Sequence, residues 1–332
     1  MNLVIPMAGK GKRLRPHTLT TPKPLIPIAG KPIVQRLVED IAKVSSQKIQ
    51  IIGFIVGDFE KEILEELKNI ARQIGAEARF YRQQSAEGTA HAVACASELL
   101  EGAVTVAFSD TLFKAEFELN AENDGIIWTK QVEDPSAFGV VKVDDSGFIT
   151  DFIEKPEKFI SDQAIIGIYY FKEGAKLRHE LKHLIDNNIR SGGEFQVTMA
   201  LENLKKKGTK FTIGTVKEWL DCGNKQITVS SNSKYLGFLK GQELKSSSVR
   251  IVNSEIIEPV SIGEHTEILN AVVGPNVSIG KNCTIADSKL SECLIQNDCE
   301  LSQVELTNSM IGNYVKLKGQ PKSVSLGDFS EW

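Results

Sequence analysis

The stretch Ile285-Ala-Asp-Ser-Lys-Leu-Ser-Glu-Cys-Leu-Ile295 is answered by Leu301-Ser-Gln-Val-Glu-Leu-Thr-Asn-Ser-Met-Ile311. Apolar residues coincide at 285/301, 290/306, 294/310 and 295/311, so the period is 16. A six-residue step runs inside each period: Ile262 to Ile268, Val273 to Ile279 to Ile285, Ile295 to Leu301, and Ile311 to Leu317. Glycine follows the apolar position at 263, 274, 280 and 312. No helical spacing is visible in this part of the chain.

One inward aliphatic per six residues requires three flat faces per turn of chain. Each face is a short strand, and each corner favours Gly, Asn or Asp, which tolerate left-handed backbone angles. The pattern resembles a hexapeptide-repeat left-handed parallel β-helix of roughly four coils, assigned to residues 246–332. Cys283 and Cys299 stand one period apart and are expected to stack on adjacent coils as thiols. The open end of such a helix exposes strand edges, so Pro321–Trp332, with Phe329 and Trp332, is expected to cap it or to meet another subunit.

Working back toward the N-terminus, the grammar changes. Asn2–Met7, Ile49–Val56, Arg79–Arg82 and Ala103–Phe108 are short apolar strand candidates. Ile33–Val44, Ile63–Ile74 and Thr89–Leu100 have helical spacing between them; Ile33, Leu37, Val38 and Ile41 fall on one face. Alternating strands and helices predict a mostly parallel sheet covered by helices. Turn signals at Asp134-Pro135 and Asp144–Gly147 separate strand candidates at Gly125–Val132, Phe138–Val143 and Phe148–Glu154, which predicts an antiparallel insertion. Residues 1–245 form this first domain.

The net charge of −4 supplies no basic field for nucleic acid. No apolar run approaches membrane-spanning length, and the five cysteines form no CxxC pair. A cytoplasmic protein with reduced thiols is expected. His179 and His183, four apart on a charged helix, are read as a solvated face.

After the first strand comes Gly9-Lys-Gly-Lys-Arg-Leu-Arg-Pro-His-Thr-Leu-Thr-Thr-Pro-Lys-Pro-Leu-Ile-Pro-Ile-Ala-Gly-Lys-Pro32. A dinucleotide fingerprint would need Gly where Leu14 stands. A Walker loop would need Gly at Pro6 and a hydroxyl at Arg13. What survives is a loop whose backbone N–H groups hold a triphosphate, stiffened by Pro16, Pro22, Pro24, Pro27 and Pro32. The stretch resembles the signature loop of sugar-phosphate nucleotidyltransferases, matching at Gly9, Gly11, Arg13, Leu14, Pro16, Thr18, Pro22, Lys23, Leu25, Pro27, Lys31 and Pro32. The family's usual hydroxyl residue is replaced by Lys12.

The resemblance implies a Rossmann-like, GT-A-like α/β domain and a set of roles. Ala8, Gly9, Gly11 and Lys12 would hold the nucleotide, and Arg13 and Lys23 would act on its phosphates. In Gln83-Gln-Ser-Ala-Glu-Gly88, Gln83 and Gly88 would face the base, with Gln84 as the alternative to Gln83. Phe138-Gly139 and Glu154-Lys155-Pro156 resemble the family's sugar-site pair, so Gly139, Glu154 and Lys155 would meet the sugar phosphate. Gly167 matches the next strand. Glu194, in a GExxxT stretch whose usual Asp is Met199, would contact the sugar. Asp110, preceded by Ser109 in place of Gly, and Asp221, in Trp-Leu-Asp-Cys-Gly, would be the two Mg²⁺ ligands.

The implied reaction joins a nucleoside triphosphate to a sugar 1-phosphate, giving an NDP-sugar and pyrophosphate. Glucose 1-phosphate with dTTP or UTP comes first; mannose 1-phosphate with GTP is the alternative. A non-catalytic nucleotide-sugar-binding regulator is the rival from another class. Acetyl transfer on the β-helix is not expected, since His265 is its sole histidine. Homo-oligomers assembled through the β-helix are expected, with no nucleic-acid or membrane partner.

Overall fold

The computed structural model describes residues 1–115, 119–319 and 322–331; Pro321 and Trp332, part of the expected cap, lie outside them. By internal contacts the chain divides into two units: Met1–Gly9 with Gln35–Trp219, and Lys10–Val34 with Leu220–Trp332.

The first unit is built on one mixed sheet. Asn2–Pro6 lies between Ile51–Val56 and Val104–Ala107, parallel to both, and Glu77–Arg82 continues the parallel set. Asn2–Pro6, Ile51–Val56 and Val104–Ala107 are nearly continuous apolar runs because both of their faces are covered, whereas Glu77–Arg82, at the end of the sheet, is only partly buried. Gln163–Phe171 then joins antiparallel to Val104–Ala107 and carries Gly125–Gln131 and Gly139–Val143. The expected antiparallel insertion is the hairpin of Gly139–Val143 with Ile149–Glu154. Its turn is closed by the Asp144 carboxylate, which accepts from Ser146 N and Phe148 N at 2.9 Å each. Helices Gly174–Asp186 and Val197–Lys206 bury Leu177, Leu181, Leu184, Leu201 and Leu204 in the same core as Val4, Val106 and Phe171. Phe152 and Phe171 each meet the ring of Phe211 edge-on.

Most predicted elements appear within two residues of their expected ends. The exception is Thr89–Leu100, which is α-helical only over Thr89–Ala94 and then tightens into a 3-10 turn at Ser97–Leu99. Ala96 N bonds to Val93 O and Leu99 N to Ala96 O, both i to i−3, so the apolar spacing persists without the helix.

The second unit contains the parallel β-helix. One face stacks Arg250–Val252, Glu267–Leu269, Thr284–Ala286, Glu300–Ser302 and Lys316–Lys318, all in parallel register. The inward residues Ile262, Ile268, Val273, Ile279, Ile285, Leu290, Ile295, Leu301, Leu306, Ile311 and Leu317 are buried in one core. Successive inward residues are five or six apart. Arg250 therefore pairs with Glu267 seventeen residues on, whereas Thr284 pairs with Glu300 sixteen on. The face has five rungs against the roughly four coils expected; the first carries Ile251, in register with the inward Ile268 but itself exposed.

Corners take left-handed backbone angles at Asn and Asp, as expected, and also at Gln303. Asn253, Asn270, Asp287 and Gln303 all have positive φ, and the amides link in a ladder: Asn253 Nδ2 to Asn270 Oδ1 at 3.4 Å, Asn270 Nδ2 to Asp287 Oδ1 at 3.2 Å. Cys283 and Cys299 are free thiols in the buried interior, donating to the carbonyls of Gln296 and Gly312. Burial also pushes the Cys293 thiol up to about 11.

The remainder of this unit is the glycine-rich loop, Lys10–Val34, and the helix Lys225–Phe238. That helix opens on Asn224, whose side chain accepts from Ile227 N at 3.0 Å. It is buried on more than one side: Thr228, Val229, Ser231, Asn232, Tyr235 and Leu236 are all inaccessible.

Candidate active site

In the first unit, four parallel strands end on one edge. Asn2–Pro6 runs out into Ala8-Gly9, Glu77–Arg82 into Gln83–Gly88, and Val104–Ala107 into Ser109-Asp110. This carboxyl edge is where open α/β sheets bind ligands. Ser109 is buried and its hydroxyl donates to Pro6 O at 3.0 Å. The replacement for the family glycine thus ties two strand ends together beside Asp110. Phe108 N donates to Gly167 O at 2.9 Å, and Gly167, with φ 82, sits where the strand Gln163–Phe171 breaks register. A Cβ there would meet the Phe108 side chain at 3.4 Å.

Gln83, Gly88 and Glu194 fall into one neighbourhood. Gln83 Nε2 meets His91 Nδ1 at 3.2 Å, which fixes the amide; Gln84 is exposed. Gly88 has φ 115, and a Cβ there would lie 2.5 Å from Phe195 O and 3.0 Å from Glu194 Cβ. Only glycine lets these segments meet, with Phe195 N donating to Glu87 O and Ala90 N to Phe195 O. Sequence reasoning missed what locks this contact. Arg190 pairs with Glu87 at 2.7 Å and lies over the Phe195 ring at 3.9 Å. Its hydrogen bond to Glu87, then that of Ser85, holds the Glu87 carboxyl below its usual range. No local motif marks a pair so distant in sequence.

Gly139, Glu154 and Lys155 form a second group. A Cβ on Gly139 would lie 3.1 Å from Glu154 Oε2 and 3.3 Å from Ile165 Cδ1. Glu154 Oε2 accepts from Thr198 Oγ1 at 3.4 Å, and Lys155 Nζ lies 3.9 Å from Oε1. Lys155 is exposed with φ 42, a left-handed conformation rare for a long side chain. Burial first, and the Glu154 charge second, push the Tyr169 phenol far above its ordinary range, so it stays neutral. Thr198 was visible as the Thr of GExxxT without a role; Met199, beside it, packs against the core instead of supplying a carboxylate. Trp219 meets Phe138 edge-on, with centroids 4.8 Å apart, next to Gly139.

In the second unit the loop folds on itself. Gly11, at φ 57, is a position whose Cβ would lie 3.1 Å from both Lys23 Cβ and Thr18 Cγ2, while Thr18 Oγ1 donates to Gly11 O at 2.8 Å. Lys23 is buried under the glycine turn. Lys12, Arg13 and Leu14 form a 3-10 turn with Arg13 exposed; nothing in the structure explains Lys12. A Cβ on Gly223 would lie 2.7 Å from Asp221 Oδ2 and 3.4 Å from Arg13 Nη2. The guanidinium and the carboxylate therefore converge above a bare backbone, and Ser231 fixes the Asp221 carbonyl by a 2.7 Å hydrogen bond.

Among the described residues no group of three His, Cys, Asp or Glu side chains forms a protein cage for a metal. Single carboxylates such as Asp221, held beside space that a Cβ would fill, suit a hard cation that takes its remaining oxygens from phosphates and water.

The nucleotidyl transferase family model matches residues 3–236. The chain belongs to the nucleotidyl transferase family. It is similar to a glucose-1-phosphate thymidylyltransferase of Streptomyces antibioticus, 28% identical over 96% of this chain and 93% of that protein. It is also similar to the mannose-1-phosphate guanylyltransferase catalytic subunit beta of Drosophila melanogaster, 31% identical over 84% of this chain and 71% of that one. In fold it resembles the UDP-glucose pyrophosphorylase of Acinetobacter baumanii, with a TM-score of 0.59, 20% identity, and coverage of 73% and 95%. Enzymes of this family generally use a divalent metal ion. No helix among the described residues is long and apolar enough to cross a membrane.

Proposed function

We propose that the protein joins a nucleoside triphosphate, dTTP or UTP, to glucose 1-phosphate, releasing pyrophosphate and the NDP-sugar. The observation that carries this reading is the convergence of Arg13, from the signature loop, and Asp221, from the Trp-Leu-Asp-Cys-Gly stretch, on Gly223. The choice of glucose and a pyrimidine nucleotide follows the thymidylyltransferase relative that spans nearly the whole chain. The 31% identity to a guanylyltransferase keeps GTP with mannose 1-phosphate as the second reading.

A sugar-phosphate oxygen attacks the α-phosphorus, a P–O bond forms, the bond to the β-phosphate oxygen breaks, and pyrophosphate leaves with that electron pair. The phosphate monoester is already ionised at neutral pH, so no general base is required. Arg13, permanently charged, offsets charge growing on the leaving pyrophosphate. Lys23 holds the triphosphate from below the glycine turn, with backbone N–H groups of Ala8, Gly9, Gly11 and Lys12 around it. Gln83 and Gly88 face the base. Glu154, Glu194 and the Gly139 and Gly167 backbones receive the sugar, and Lys155 meets its phosphate. Asp110 and Asp221 would hold Mg²⁺. When bound, the ion neutralises phosphate charge and orients the nucleophile.

Pyrophosphate release measured across four nucleoside triphosphates and a set of sugar 1-phosphates tests the reading. Turnover with glucose 1-phosphate and dTTP or UTP is expected. No turnover with any pair, together with tight NDP-sugar binding, would replace it with the regulatory reading. We further propose that residues 1–245 carry the chemistry and that 246–332 assemble homo-oligomers; a monomer at micromolar concentration would count against that assembly.

A further inference from the structure

His17 has no part in the chemistry above, yet it is completely buried. Its Nε2 meets Ser325 Oγ, on the last rung of the β-helix, at 3.0 Å. Three residues on, Thr20 Oγ1 donates to Asp328 Oδ2 at 2.5 Å. Pro16 lies so close to Gly327 that a Cβ there would come within 2.9 Å of Pro16 Cβ. Asp328 is itself fixed, since Asn313 N donates to its Oδ1 at 2.7 Å. The loop is gripped a second time near its other end. Asn232, fully buried, accepts through one oxygen from Ala29 N and from Ser278 Oγ, both at 2.8 Å. Ser278 belongs to Val277–Ile279 and Ser261 to Val260–Ile262, neighbouring rungs of a second face of the β-helix that runs on through Leu294 and Met310 to Ser325, and Ser261 lies against Gly30.

A loop held at two separated rungs, on both sides of Lys23, has little freedom to move its cations. We propose that the β-helix is a positioning element for the glycine-rich loop: Thr20–Asp328, His17–Ser325 and the Asn232 bridge set where Arg13 and Lys23 stand. The proposal rests on the reading of Arg13 and Lys23 given above. None of the bracing side chains needs to touch substrate, and a fully buried His17 cannot. The brace also holds constant near neutral pH. Burial, with a smaller push from Lys225, carries the His17 pKa down to about 4 against the pull of Asp328, so the ring stays neutral. Misplacement of catalytic groups by about 1 Å can cost as much as about 100-fold in rate, so loss of one brace is expected to cost about tenfold in kcat.

The test uses the full chain with Thr20→Val, Asp328→Asn, the double variant and Thr20→Ser. Steady-state kinetics are read beside hydrogen exchange of peptides covering Lys10–Val34. Thr20→Val and Asp328→Asn should each lower kcat about tenfold and raise the KM for the nucleotide, with the KM for sugar 1-phosphate unchanged. The double variant should be no worse than either single one. Thr20→Ser, which keeps the hydroxyl, should behave as the parent. Exchange in Lys10–Val34 should rise in the valine and asparagine variants while that of Gln163–Phe171 stays level. Parental kinetics in both single variants, strictly additive losses, or slower turnover without faster loop exchange would each overturn the proposal. If the parent protein turns over no substrate pair, the functional reading fails instead; loop exchange still judges the brace.

Discussion

Replacing Gly139 with alanine separates the sugar site from the rest of the protein. Gly139 does not lie in the left-handed region, so its backbone accepts an L side chain without strain. A strand glycine destabilises by roughly 0.5–1 kcal/mol relative to alanine, and the substitution recovers that. Against it, the new methyl would sit 3.1 Å from Glu154 Oε2 and 3.3 Å from Ile165 Cδ1, a few tenths of an ångström too close. Such crowding costs about 1 kcal/mol, so net stability should change by less than about 1 kcal/mol in either direction. The relief must come from the Glu154 carboxylate, which on that oxygen accepts a long 3.4 Å bond from Thr198. If the displaced carboxylate loses a hydrogen bond to a sugar hydroxyl, the loss is about 1.5–3 kcal/mol. That corresponds to about 10- to 150-fold in kcat/KM for the sugar 1-phosphate. Thermal melting and steady-state kinetics with each substrate varied in turn would measure it. A folded variant with parental kcat/KM for the sugar phosphate would falsify the placement of Glu154.

Three other outcomes are expected. Arg13→Ala, at an exposed position, should lower turnover by about 1,000-fold or more while leaving the melting temperature unchanged; retained activity would remove Arg13 from the phosphate site. Asn232→Ala should cost about 2–4 kcal/mol in denaturant unfolding, because it strands Ala29 N–H and the Ser278 hydroxyl in a buried place. A loss under about 0.5 kcal/mol would mean that the bridge contributes little to stability. Lowering pH should destabilise the protein through His17. Its folded pKa of about 4 lies below the ordinary imidazole value of about 6.5, so the unfolded state binds the extra proton in between. The contribution is complete above about pH 6.5 and is lost as pH falls to about 4, with an upper bound of about 3 kcal/mol. His17→Asn should flatten that part of the stability profile, and an unchanged slope would argue against a neutral buried ring.

The parts of this molecule legible in its sequence are those fixed by local periodicity. Ile33–Val44 is helical over the span its apolar spacing predicts. The strands that lead to Ala8, Gln83 and Asp110 follow from short apolar runs. The β-helix followed from its later turns, where the sixteen-residue period repeats, and its seventeen-residue early turns were blurred by a fixed six-residue step. Glu154 and Gly139, assigned by resemblance to one site, lie side by side because the hairpin pairs them directly. What stayed hidden depends on distant partners. Arg190 reaches Glu87 across about a hundred positions, and His17 reaches Ser325 across more than three hundred. Nothing in a local window of sequence distinguishes those residues from ordinary surface charge or an idle histidine.

The stacked rungs have a further consequence. From Ser278 to Ser325 the chain climbs three rungs, through Leu294 and Met310. Adjacent rungs lie about 4.8 Å apart, so the climb is about 14 Å. Repeat arrays commonly drift in length by whole units, since each unit touches only its neighbours. Here one rung gained or lost between those two points would carry Asp328 away from Thr20 by about 4.8 Å, beyond hydrogen-bond reach. The β-helix thus works as a ruler cut to the length of a loop near the opposite end of the chain. Its rung count between Ser278 and Asp328 is the one dimension that cannot drift freely.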